Sequence, residues 1–340
     1  MKLKLALPVA FFLGWAIPAI AAGPIAQPGS GYGANGSYGQ GSLSFANPAM
    51  PSMKVYVYYP TGAGAPRPAP VVFFSHAFAT TDPAHYAELL DHLTSRGYAV
   101  VYPTYPTLGA SHDERYAILW RGFKEAALRY PDYLDLGRCG FVGHSYGGGA
   151  TPRMALNGFV DEGWGGSGRF MMTMAPWYSF ELSDSDLALL PPSVKFLSVV
   201  YAEDSNNDMR MACDIYLHAA SIPVSERDFM ILHSDTIGSY SFEANHQVPF
   251  GARQRKGEVD ALDYYGTWQK LDALIDYAVT GDPSAKAIAL GGGGEGQTYM
   301  GGLPGGGREL SRATVTDSPE PFRPESFYQF RWSSSDNPRR

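Results

Sequence analysis

Gly143-His144-Ser145-Tyr146-Gly147 is a G-x-S-x-G pentapeptide. A serine hydroxyl is a poor nucleophile until a tight turn exposes it beside a base. A strand that bends sharply into a helix makes such a turn, and glycine at 143 and 147 relieves the crowding because it lacks Cβ. With 39 glycines in the chain, the pentapeptide alone is weak. The apolar lead-in Cys139-Gly140-Phe141-Val142 and the small residues that follow give it weight, because strand, turn and helix are the setting the motif requires. Ser145 is read as a nucleophile. The other reading is a glycine turn with an incidental serine.

A nucleophilic serine needs a base, an acid to orient it and donors for the developing oxyanion, with the acid and then the histidine following the serine along the chain. Three histidines come after Ser145: His218, His233 and His246. His218 falls in a helix of mixed character and His233 ends a strand. His246, in Ala244-Asn245-His246-Gln247, lies in the loop between the last strand and the last helix, where the base is expected, and is favoured over His233. The acid should follow the strand at 195–202, in Ala202-Glu203-Asp204-Ser205-Asn206-Asn207-Asp208. Asp204 is favoured. Asp208 is a rival whose structural explanation is a helix N-cap, and Glu203 comes third. The oxyanion donors are expected to be the N–H groups of Tyr146 and Phe78, the latter in Ser75-His76-Ala77-Phe78-Ala79. His76 is read as a brace for that loop. Trp164, Trp177, Tyr178 and Phe180 cluster in sequence, and Trp177 and Tyr178 are the expected cleft-lining pair.

These residues need elements to carry them. Strands are expected at 53–59, 71–75, 98–102, 139–142, 170–175, 195–202 and 228–233, and helices at 83–96, 113–130, from Ser145 to about Leu156, 209–220 and 259–280. Residues 158–168 read as a loop. Apolar strand runs alternating with helices predict an α/β class with a parallel sheet.

The chain has 340 residues, 45% hydrophobic and 17% charged, which suits a globular protein with a large core. A formal net charge of −7 with no basic run argues against nucleic acid as a partner. Lys2 and Lys4, an apolar stretch from Leu5 to Ile20 and the small-x-small Ala19-Ile20-Ala21 form a secretory signal pattern over 1–21, so a secreted or periplasmic location is expected. The other reading, a membrane anchor, is disfavoured by the shortness of the stretch and by Pro8 and Pro18. No later stretch is long and apolar enough to span a membrane. Residues 22–40 read as a flexible linker, and 291–340 as a Gly-rich tail, partly packed, whose aromatic Phe327-Tyr328-Gln329-Phe330-Arg331-Trp332 can add an edge strand. Cys139 and Cys213 fit either one disulfide or two buried thiols. No His-Glu-x-x-His, Cys-x-x-Cys or nucleotide-binding glycine pattern is present, so neither a metal nor a cofactor is expected.

Val71-Val72-Phe73-Phe74-Ser75-His76-Ala77-Phe78, Tyr98 to Pro103, the Ser145 motif with Gly148, the Asp204 loop and the His246 loop together resemble the α/β-hydrolase superfamily, in its secreted esterase and lipase type. The chain is also similar to bacterial polyester hydrolases and chlorophyllase-like enzymes over roughly 52–280. The family's His-Gly-x oxyanion loop has Ala77 in place of glycine here, which puts that loop's geometry in question. The resemblance implies an α/β-hydrolase fold over 41–290, a mostly parallel sheet of about eight strands flanked by helices. It also implies cleavage of a small-molecule or polymeric carboxylic ester through an acyl-enzyme on Ser145, without a cofactor. A thioesterase, peptidase or acyltransferase on the same fold, and a non-catalytic binding protein, are the other classes.

Overall fold

The computed structural model describes residues 23–252 and 259–339. The expected signal segment lies outside them. The strands are β1 (Gly39–Asn47), β2 (Met50–Thr61), β3 (Ala69–Ser75), β4 (Ala99–Pro103), β5 (Leu134–His144), β6 (Gly168–Met174), β7 (Lys195–Tyr201), β8 (Arg227–Leu232), β9 (Asp235–Ile237), β10 (Tyr240–Phe242) and β11 (Thr314–Thr316). The α-helices are α1 (Ala87–Ser95), α2 (His112–Arg129), α3 (Tyr146–Leu156), α4 (Asp184–Leu187), α5 (Arg210–His218), α6 (Gln269–Thr280), α7 (Pro283–Ala289) and α8 (Glu295–Thr298).

Nine strands form one sheet in the order β1-β2-β4-β3-β5-β6-β7-β8-β11. Every neighbouring pair from β4 through β8 is parallel. β1 and β2 on one edge and β11 on the other run antiparallel to their neighbours. β9 and β10 form a separate ribbon. This is an α/β architecture with a large, mostly parallel central sheet flanked by helices.

The sheet is buried on both faces, which explains its unbroken apolar strands. Successive residues of β3 alternate sides: Val71 and Phe73 join Leu119, Phe123 and Phe141 in one core. Val72 and Phe74 join Leu90, Leu93 and Leu271 in the other. Burying a phenylalanine of this kind is worth about 1.5–3 kcal/mol. Gly140 lets β5 approach β6, since a Cβ there would lie 2.2 Å from the Phe170 ring. α2 begins at a capping box, with Ser111 N–H donating to Glu114 Oε2 at 2.7 Å and Glu114 N–H donating to Ser111 Oγ.

Several elements differ from expectation. β1 falls where the linker was expected to end, and its Gly/Ser-rich alternation gains strand geometry only by pairing with β2. Residues 23–38 hold no regular element, yet Ile25 is fully buried and Gly33 N–H donates to Asp272 Oδ2 at 2.9 Å, so this stretch is laid on the body rather than free. Asn157–Asp161, which overlaps the loop expected at 158–168, extends α3 by a π-helical turn. The tail adds an edge strand, but it is Thr314–Thr316 on β8 and not the aromatic patch. Cys139 and Cys213 are both buried free thiols. Among the described residues no helix is long and apolar enough to cross a membrane.

Candidate active site

Ser145 occupies the turn between β5 and α3 at φ 57°, ψ −120°, a conformation few side chains adopt. Such a residue costs on the order of 1–3 kcal/mol unless its surroundings impose it. Here they do. Ser145 N–H donates to Met174 O at 2.9 Å, and Ser145 O accepts from Gly149 N–H at 3.0 Å and Trp177 N–H at 2.8 Å. Two neighbouring glycines permit the turn. A Cβ at Gly143 would stand 2.3 Å from Gly147 O, and one at Gly147 would stand 2.0 Å from Ser75 O.

The turn places Ser145 Oγ 2.9 Å from His246 Nε2, and His246 Nδ1 lies 2.7 Å from Asp204 Oδ2. Serine and histidine are each 8% exposed and Asp204 is buried. Asp204 Oδ1 accepts from the N–H groups of Asn206 at 2.8 Å and Asn207 at 3.1 Å, which fixes the carboxylate. The loop after β7 and the loop after the β9–β10 ribbon therefore converge on one hydroxyl. This is the arrangement in which an imidazole can take a serine proton while a carboxylate stabilises the resulting cation.

The competing residues lie elsewhere. Asp208 pairs with Arg210 and accepts from Trp332 N–H at 3.0 Å. Glu203 pairs with Arg323. His233 Nε2 lies 2.8 Å from Thr314 Oγ1, at the tail strand. His218 faces Asp184 and Asp214.

Buried side chains hold several backbone groups of the 76–80 loop. Ala77 N–H donates to the Tyr86 hydroxyl at 3.0 Å, Tyr105 O–H donates to His76 O at 2.8 Å and Tyr102 O–H to Thr80 O at 2.7 Å. Thr80 donates to Ala77 O from its N–H and its hydroxyl. The N–H groups of Phe78 and Tyr146 have no acceptor among the described residues. Tyr146 is fully buried, and buried backbone donors are almost always paired, so its N–H stands out as a donor left available one residue after Ser145; Phe78 is half-exposed, with its ring 5.9 Å from that of Tyr146. The residue with positive φ in this loop is Ala79, at 66°, and not Ala77.

His76 is a brace. It stacks on Tyr105 with ring centroids 4.1 Å apart, its Nδ1 lies 2.6 Å from Ala77 O, and burial pushes its pKa down to about 3. His144, inside the pentapeptide, is also buried. Its Nδ1 meets the Tyr86 hydroxyl at 3.0 Å, and its ring centroid is 4.8 Å from that of His246. Burial first, and the neighbouring His246 second, hold its pKa well below the usual value.

Trp177 reaches the site, anchored through its N–H to Ser145 O. Tyr178 does not line the cleft with it. Its hydroxyl accepts from Ser333 N–H at 2.7 Å and belongs to the contact with the tail. Trp164 stacks on Phe73 at 5.0 Å within the core, and Phe180 stacks on His112 at 3.7 Å. Three contributors went unread in the sequence. Tyr86 joins the 76–80 loop to His144, Asn207 Nδ2 lies 3.4 Å from Ser145 Oγ and 2.9 Å from Ala175 O, and Phe330 of the tail meets Trp177. Only the run of polar residues after β7 hinted at Asn207. No protein-family model matches the chain, and a search of the curated proteins returns no match.

Proposed function

We propose that this protein is a serine esterase with an α/β-hydrolase fold, secreted or periplasmic on the strength of its N-terminal signal pattern, which cleaves carboxylic esters through an acyl-enzyme. The observation that carries this reading is the chain Ser145 Oγ–His246 Nε2–Asp204, at 2.9 and 2.7 Å, mounted on a turn with φ 57°. His246 takes the serine proton as the hydroxyl oxygen attacks the ester carbonyl. The N–H groups of Phe78 and Tyr146 receive the negative charge that develops on the carbonyl oxygen. His246 then gives its proton to the departing alcohol, and with that proton gone it activates a water that releases the acid. Asp204 keeps the Nδ1 proton oriented and balances the imidazolium charge.

Two measurements test the reading together. A fluorophosphonate should label Ser145 and not a Ser145→Ala variant. The same variant should lose p-nitrophenyl acetate hydrolysis by about 10⁵-fold or more. A variant with parental turnover would sink the proposal. Amide, thioester and alcohol acceptors offered in competition with water separate an esterase from the other acyl-transfer classes.

A further inference from the structure

The C-terminal segment is tied down along its length beside Ser145. Gln329 N–H donates to Ser205 O at 2.7 Å, Phe330 N–H donates to Asn206 O at 2.8 Å, and Asp208 N–H donates to Phe330 O at 3.1 Å. Phe330 thus pairs in parallel with Asn207, whose side chain is 3.4 Å from Ser145 Oγ. Upstream, Arg210 joins Asp208 to Glu325. Downstream, Ser333 hangs on Tyr178, Asn337 Nδ2 donates to Asp214 at 3.1 Å, and the buried Arg339 guanidinium pairs with Asp184 and Asp214. Arg339 occupies the one Asp/His cluster among the described residues with ligand-like spacing, Asp184, Asp214 and His218, so those carboxylates serve as a clasp for the tail.

Between these anchors Phe330 is 41% exposed. Its ring centroid lies 5.2 Å from Trp177, which lies 6.1 Å from Tyr146, which lies 5.9 Å from Phe78. Phe78 is itself 38% exposed. The result is an arc of rings past the serine, open at both ends, whose last member comes from more than a hundred residues downstream of the Asp204 loop. An apolar ring left in water on an immobilised backbone is a contact whose ordering cost has already been met before a ligand arrives.

We propose that Phe330 is a specificity-determining residue: with Trp177 it forms an apolar wall that holds the bulkier hydrocarbon group of the ester, and the tail is clasped to the body to keep that wall in register with Ser145. This rests on the reading of Ser145 as an ester-cleaving nucleophile. Ethyl acetate, with no long hydrocarbon group, serves as the reference against which loss of the wall is read.

The full-length parent and Phe330→Ala are compared on ethyl acetate, ethyl hexanoate and hexyl acetate, so that the acyl and alcohol groups are lengthened separately. Relative to ethyl acetate, Phe330→Ala should lose about tenfold or more in kcat/KM on at least one of the two longer esters, chiefly through KM, as expected for one large apolar contact. Phe330→Tyr, which keeps the ring, should retain most of the parental preference. Unchanged ratios on both longer esters overturn the proposal. Failure of the nucleophile reading looks different: the parent neither cleaves ethyl acetate nor reacts with a fluorophosphonate, and the proposal then falls with it.

Discussion

Two histidine–aspartate pairs are buried among the described residues, and they do different things. His246 meets Asp204 at 2.7 Å through Nδ1 and turns Nε2 toward the Ser145 hydroxyl. His92, on α1, meets both carboxylate oxygens of Asp272 on α6 at 3.1 Å through Nε2, and its Nδ1 lies 2.9 Å from Asn35 Oδ1. Asp272 also accepts from Gly33 N–H and faces Arg96. Both nitrogens of His92 are spent on partners from the N-terminal stretch and α6, so this pair is a staple. His246 keeps one nitrogen for a hydroxyl held on a strained turn. The chemistry of an imidazole here is decided by what its second nitrogen sees.

The comparison can be broken by exchanging the outcomes. Ser145→Ala or His246→Ala should remove about 10⁵-fold or more of ester hydrolysis while leaving the thermal midpoint near the parental value. Asp204→Asn should lower kcat by about 10⁴-fold, because the amide favours the wrong imidazole tautomer. Asp208→Asn, whose carboxylate serves Arg210 and the Trp332 N–H, should cost less than about tenfold in the same assay, a loss of positioning rather than of chemistry. A comparable fall in both aspartate variants would erase the distinction between them. His92→Ala should reverse the pattern: kcat per folded molecule is kept, while urea denaturation shows a loss of about 1–3 kcal/mol, the cost of removing one buried partner from a carboxylate that keeps Gly33 N–H and Arg96.

A further effect is in pH. His76 and His144 are neutral in the folded protein, with pKa values pushed down by burial from an ordinary value of 6.5, His76 to about 3. The unfolded chain binds protons there that the folded chain refuses, so the stability contributed by neutrality is complete above pH 6.5 and falls as pH drops from 6.5 toward 3. Each histidine adds a slope of up to about 1.4 kcal/mol per pH unit. Urea titrations at pH 7, 6 and 5 should show it, and His76→Gln should flatten it.

Much of this was legible in local sequence. The all-apolar runs of β3 and β4 are readable as buried parallel strands because both faces of the sheet are covered. The glycines around Ser145 are readable because the turn they serve tolerates no Cβ. What escaped depends on partners far away. β1 is Gly/Ser-rich and is a strand only by virtue of β2. Residues 23–38 look like a linker in composition, and partners remote in sequence, among them Asp272, His92, Ser95 and the apolar core around Ile25, make them part of the body. Tyr86, Tyr102 and Tyr105 read as generic core, and their role lies in hydroxyls that close off the 76–80 backbone.

The amino-acid sequence by itself determined the tight glycine-flanked turn at Ser145 and the two-sided sheet, because each depends on residues adjacent along the chain or on strand periodicity. Only the tertiary structure decided between Asp204 and Asp208, separated His246 from His92, and placed Phe330 beside Trp177. Those outcomes depend on distances of a few ångströms between segments remote in sequence. A side chain's type states what bonds it can make, and the fold alone states which partner arrives to make them.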